Sequence, residues 1–216
     1  MIIREISPAK GKLFEIVFDD DSRLWLHADL LQEAGLRTGD TLNAEQLAAL
    51  RYKAAEHRSY EYGLYLLEKR AYSYRELYDK LMQAQHAQED AVLAALEKLT
   101  RYGFVNDAQY AEQLARYFVE GKKFGIRRAA YEMKHRGLSQ EDIDDALCAY
   151  DDAEQISAQL LTLLQKKYAR YLTDPNDRKM TEKVTAALVR RGYTYTQIRY
   201  AIEDYYAAIE ENSEEE

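Results

Sequence analysis

The chain has 216 residues, a formal net charge of −8 and 47% apolar residues, with one cysteine and two prolines. That length and apolar share suit one large or two small packed domains, and the lone Cys148 excludes an internal disulfide and fits a reducing cytoplasm. No apolar run approaches the roughly 20 residues of a membrane span, and Met1–Glu5 lacks the features of a secretion signal, so the expected location is cytoplasmic, away from membranes.

Charge is unevenly placed. Residues 203–216 hold seven acids and no base, which leaves the rest of the chain near neutral. The stretch Gly121–Gly137 runs the other way, with Lys122, Lys123, Arg127, Arg128, Lys134 and Arg136 against Glu132 alone. This polarity predicts a basic surface for an anionic partner; a merely solvated helix face fits the same charges.

In chain order, Leu13–Phe18 and Arg23–His27 are rich in β-branched and aromatic residues and flank the turn-forming Asp19–Ser22. They predict a hairpin, and Ile2–Ile6 supplies a third strand. So small a sheet needs a helix to pack on. A short helix over Ala28–Glu33 should stop at Gly35. The segment Asn43–Gln46 reads as a capping box opening a helix to about His57. Further helices are predicted at 59–70, 73–83, 88–101, 106–119, 124–136, 139–150, 152–171, 177–191 and 194–210. They form three sets of three, the last stretched by the loop Thr173–Asn176.

One cassette punctuates these helices. It reads Arg70-Ala71-Tyr72-Ser73-x-x-Glu76-Leu77, Arg136-Gly137-Leu138-Ser139-x-x-Asp142-Ile143 and Arg191-Gly192-Tyr193-Thr194-x-x-Gln197-Ile198, with a looser copy over Tyr102–Tyr110. A basic residue suits a helix C-terminus, and Gly beyond it takes the left-handed backbone that ends the helix. Ser or Thr caps the next helix, with an acid or amide three residues later. Repeated punctuation predicts a helical repeat protein, a class that works by presenting a surface. The expected fold is therefore mostly α, with three tandem three-helix repeats in an elongated curved body behind a small N-terminal β-hairpin or meander. The boundaries read as a β-rich extension at 1–42, a connecting helix at 43–58, repeats at 59–104, 105–150 and 151–210, and an acidic disordered tail at 211–216.

At this point the residues resemble a known family. Tyr65–Leu81, Leu96–Leu99 with Gly103–Ala111, Gly125–Leu138 and Leu188–Tyr193 are similar, in that order, to the repeats of the RecX recombination regulators. Leu36–Leu42 is similar to the N-terminal extension of longer members. Ala71, where the other cassettes have Gly, and the acidic tail depart from the pattern. The resemblance implies tandem three-helix repeats without catalytic chemistry or cofactor. It implies a regulatory protein that binds RecA recombinase and the RecA filament on single-stranded DNA, modulating and usually inhibiting its ATPase and recombination.

The candidate partner-binding or nucleic-acid-binding residues are Lys69, Arg70, Arg75, Lys80, Lys122, Lys123, Arg127, Arg128, Lys134, Arg136, Arg190 and Arg191. Lys and Arg on phosphates give salt-sensitive, sequence-independent affinity, and the same charges can meet acidic protein patches. Tyr60, Tyr62, Tyr65, Tyr72, Tyr74 and Tyr78 cluster around the first cassette. Aromatics among cations can stack on unpaired bases; the plainer reading is an amphipathic core with hydroxyls at its rim. No P-loop, HExxH or Cys–His metal spacing occurs, so no enzyme is expected. His27, His57, His86 and His135 read as scattered surface residues, with no metal site. A monomer acting on RecA is the leading reading. A DNA-binding module acting without RecA and a generic helical adaptor are the alternatives.

Overall fold

The structure, a computed structural model, describes residues 1–85 and 87–214, with side chains through 210. Strands β1 (Ile3–Pro8), β2 (Leu13–Phe18) and β3 (Arg23–His27) form an antiparallel meander in the order β1-β2-β3. The hairpin and the third strand stand where the alternation predicts them. Pairing Phe14 with Leu26 and Ile16 with Leu24 puts one apolar set on one face. Ile3, Ile16, Phe18 and Leu26 are buried in one cluster with Leu47, Leu50 and Ala54. The sheet thus has the helical partner that a small meander needs. Helix α1 (Ala28–Ala34) stops at Gly35, whose φ of 62° is left-handed.

Helix α2 (Ala44–Leu67) is one continuous element. The break read near Ser59, between the connecting helix and the first repeat, does not occur. No Gly or Pro interrupts residues 44–62, and the two halves of α2 serve two cores. Leu47, Leu50 and Ala54 join the sheet cluster. Leu64, Leu66 and Leu67 pack on the next one, with Leu77, Leu81, Leu96 and Leu99 of α3 (Tyr74–Met82) and α4 (Glu89–Arg101). Gly63 is buried on α2, and a Cβ there would lie 2.6 Å from Leu99 Cδ1. Close approach of α2 to α4 accounts for a residue that otherwise costs a helix about 1 kcal/mol.

The chain divides into two units, Met1–Asn106 and Asp107–Glu216. The second holds two further three-helix sets with separate cores. Helices α5 (Asp107–Arg116), α6 (Ile126–His135) and α7 (Gln140–Cys148) bury Leu114, Phe118, Met133, Ile143 and Leu147. Helices α8 (Ala153–Leu163), α9 (Arg178–Arg190) and α10 (Tyr195–Glu214) bury Leu160, Leu164, Leu188, Ile198 and Ile202. The first helix of each set widens into a π turn at its end, Tyr117–Gly121 and Leu164–Tyr168. The longer ring of a π turn swings the chain out before the next helix. Helix α10 continues to Glu214, four residues past the end read from sequence, because Ala, Glu and Ile sustain a helix and no breaker intervenes. Residues 215 and 216 of the expected tail lie outside the described residues, as does His86.

The punctuation works as its chemistry requires. Gly103, Gly137 and Gly192 have φ of 76°, 77° and 95°. Asn43 and Gln46 close a reciprocal capping box at 2.8 and 2.9 Å, and Thr194 and Gln197 do so at 2.9 and 3.2 Å. Ser139 Oγ accepts from the Asp142 N–H at 3.0 Å. The first cassette, which has Ala71, turns with no residue at positive φ. Its helix closes when the Lys69 N–H donates to the Leu66 carbonyl, and Arg70 stacks over the Tyr72 ring at 3.6 Å. Ser73 is fully buried, and its Oγ accepts from the Glu76 N–H at 3.1 Å. Ser73→Ala is expected to cost about 1 kcal/mol, read as a lower urea midpoint at unchanged slope.

Candidate functional site

The basic segment is assembled from the backbone outward. After the π turn at Tyr117–Gly121, the chain reverses through residues 122–125 and enters α6 at Gly125. This loop docks on the third cassette, almost seventy residues later. The Gly125 N–H donates to the Arg191 carbonyl at 2.8 Å, and Arg191 Nη1 donates to the Lys122 carbonyl at 3.1 Å. The buried Tyr193 hydroxyl donates to the Lys123 carbonyl at 3.2 Å and accepts from Gln159 Nε2 at 2.6 Å. Burial pushes this phenol up from its ordinary value, against the opposing pull of Gln159 and Arg191. Lys123 sits in the left-handed region at φ 57°, a conformation that costs a non-Gly residue. The bonds on either side hold it there.

No side chain fits at the centre of this joint. A Cβ on Gly125 would lie 2.6 Å from both C and O of Gly192, and one on Gly192 would lie 2.6 Å from Arg128 Cβ. Backbone therefore meets backbone between the second and third three-helix sets. The cleft beside the joint, which Arg127, Asp151, Gln159 and Thr194 help to line, holds about 160 Å³. That is below the usual range for small-molecule pockets, so the neighbourhood presents a surface.

Five of the twelve predicted cations belong to the joint or to the helix it opens, Lys122, Lys123, Arg127 and Arg128 on one side and Arg191 on the other, and Arg190 is exposed in the last turn of α9 next to Arg191 in the chain. Two are engaged within the protein. Arg191 holds the joint, and Arg128 pairs with Glu132 on its own helix. Lys122 lies 5.3 Å over the Tyr117 ring. Among the described residues, Lys122, Lys123, Arg127 and Arg190 have no carboxylate within salt-bridge distance. Lys134 and Arg136 stand at the far end of α6, about 10 Å along the axis from Arg127. There they suit the negative end of the helix dipole, so the segment 122–136 is not a single patch.

The remaining four cations, Lys69, Arg70, Arg75 and Lys80, belong to the first unit. Lys69 lies 5.0 Å over the Tyr65 ring. Arg70 pairs with the half-buried Glu76 at 3.2 Å, and Arg75 with Asp79 at 3.3 Å, an exposed pair worth little in stability. Lys80 is exposed in the last turn of α3. The tyrosines around them divide. Tyr60, Tyr72 and Tyr78 pack on the local core, while Tyr62, Tyr65 and Tyr74 stay exposed. Tyr78 donates to Glu89 at 2.8 Å, and that hydrogen bond is the main cause raising its phenol.

Sequence reasoning missed the joint, although its signal was present in two glycines flanked by cations. It also missed a contact in the first unit, where His27 and His57 stack with ring centroids 4.4 Å apart. Burial, then the neighbouring imidazole, holds His57 below the ordinary histidine range.

Comparison with known proteins agrees with this architecture. Residues 106–147 match the family model described as the second three-helix domain of RecX, and residues 153–202 match the third. A regulatory protein RecX of Trichlorobacter lovleyi is 32% identical over 142 residues, covering 65% of this chain and 91% of the relative. One from Clostridium botulinum (strain Eklund 17B / Type B) is 22% identical over 200 residues, covering 93% of each chain. A crystal structure of regulatory protein RecX superposes with a TM-score of 0.72 at 23% identity, over 94% of this chain and 98% of the other. That of RecX from Lactobacillus salivarius gives 0.63 at 25% identity, over 70% and 96%.

Three alanine substitutions separate backbone strain from steric contact at the cassettes. Gly103 has positive φ and open space around a Cβ, so Gly103→Ala is expected to cost about 1 kcal/mol from conformation alone. Gly192→Ala adds the clash with Arg128 and should cost at least about 1 kcal/mol more. Gly125 has an ordinary φ of −72°, so Gly125→Ala isolates the joint and should speed hydrogen exchange at residue 125. Denaturant midpoints and exchange rates check the series; equal costs for Gly103 and Gly192 would refute the clash.

Proposed function

The chain belongs to the RecX family, and from that premise we propose that it binds RecA recombinase, above all its filament on single-stranded DNA, and lowers its ATPase and recombination activity. The curated relatives are regulatory proteins by name. The observation that carries the reading here is the cation set at the Gly125–Gly192 joint. Lys122 and Lys123 lie in the loop locked to the third cassette, Arg127 follows that loop in α6, and Arg190 precedes Arg191 at the end of α9. Their charges have no carboxylate partner among the described residues, so they meet an anionic partner without first breaking an ion pair. The filament offers such groups as DNA phosphates and as acidic patches on protein. The cations of the first unit supply a second set of contacts, and linked contacts raise avidity beyond either set alone. The proposed action is steric and electrostatic: the bound protein hinders the ATP-driven cycle of the filament.

DNA-dependent ATP hydrolysis by the matching RecA tests this directly. Substoichiometric amounts of this protein should slow it, and an unchanged rate at every ratio with folded protein would sink the reading. Binding to DNA alone, equally tight with and without RecA, would favour the module acting without the recombinase.

The surface has its own test in the exposed pair Arg127→Glu and Arg190→Glu. Stability should stay within about 0.5 kcal/mol, as for most exposed substitutions. Affinity for the filament should fall, and its dependence on salt should become shallower as fewer charge contacts form. Salt titrations of wild type and double variant check this; one shared affinity and slope would remove these residues from the interface.

A further inference from the structure

In the first unit, the described residues place three metal-capable side chains together: His27, Asp29 and His57. They come from different elements. His27 ends β3, Asp29 opens α1, and His57 lies within α2. One ligand atom from each lies within 4.8 Å of the other two. The two imidazoles stack at 22° between planes, and Asp29 Oδ2 lies 3.3 Å from His27 Nδ1. The His27 side chain is largely covered at 15% exposure, whereas that of Asp29 is open at 77%.

Ligand atoms around a tetrahedral zinc ion, with bonds of 2.0–2.2 Å, stand roughly 3.3–3.5 Å apart. Closing the cluster from separations of up to 4.8 Å to that spacing takes up to about 1.5 Å of movement, which rotation of the His57 ring and of the exposed Asp29 carboxylate supplies. Two imidazoles and one carboxylate form a borderline donor set that suits zinc and its neighbours; magnesium and calcium prefer oxygen alone. The two helices already face each other at this level, for Lys53 of α2 pairs with Glu33 of α1 at 2.8 Å. Each of these residues is one turn along its helix from a member of the cluster.

We propose that His27, Asp29 and His57 bind a divalent transition-metal ion of the zinc class, tying the end of β3 and the start of α1 to α2. A site of three protein ligands leaves one position for water.

The test uses the full chain, freed of metal by a chelator and titrated with zinc chloride by calorimetry. One ion should bind per chain with a dissociation constant on the order of micromolar or below. At one equivalent, the ring nitrogens of His27 and His57 should shift in nitrogen-15 spectra while those of His135 stay. Magnesium chloride should produce neither effect. His57→Asn and Asp29→Asn should each weaken binding at least about tenfold. Binding that leaves the His27 and His57 rings unshifted would overturn the proposal, as would an unchanged isotherm in a folded His57→Asn variant. So would no heat of binding at millimolar zinc. If His57→Asn fails to fold, the ring spectra of the wild-type chain decide alone.

Discussion

A single backbone contact organises the second half of this molecule. Gly125 and Gly192 approach so closely that neither position has room for a Cβ. The hydrophobic cores on the two sides are separate clusters. Hydrogen bonds from Gly125, Arg191 and Tyr193 to backbone carbonyls complete the link. Backbone groups have fixed geometry, unlike long side chains, so a joint made from them sets an orientation firmly with little contact area. Two repeats that fold on their own cores can therefore present their cations as one arrangement.

In the first unit, continuity takes the place of such a joint. Helix α2 runs through two cores, buried by the sheet at one end and by α3 and α4 at the other. The N-terminal sheet is too small to stand alone, and α2 makes its folding depend on that of the first repeat. Gly63 serves this arrangement by letting α4 approach. Glycine thus has two uses in the chain, ending helices at positive φ and admitting a close neighbour, and Gly192 serves both.

Charge placement follows from the same architecture. Arg128, Arg70 and Arg75 satisfy acids close to them in sequence, and Arg191 serves the joint. Lys122, Arg127 and Arg190 are exposed and Lys123 is half-buried. They stand beside a strained residue, since Lys123 has φ of 57°. Backbone held at such a cost by its surroundings is a feature of functional segments.

Much of this was legible in the chain itself. Helix boundaries repeated through Ser73, Ser139 and Thr194 because capping is local chemistry, set within four residues. The strands followed from alternation, and the left-handed turns at Gly103, Gly137 and Gly192 from the absence of a Cβ. The order of the cassettes sufficed to bring the family resemblance into view. Tertiary structure alone decided that α2 is unbroken, because two cores hold it across Ser59, where a cap could otherwise have formed. It alone brought Arg191 and Tyr193 to Lys122 and Lys123. It also stacked His27 on His57, thirty residues apart. Local propensity acts over a few residues, whereas these contacts depend on how whole helices pack, and no spacing along the chain encodes that distance.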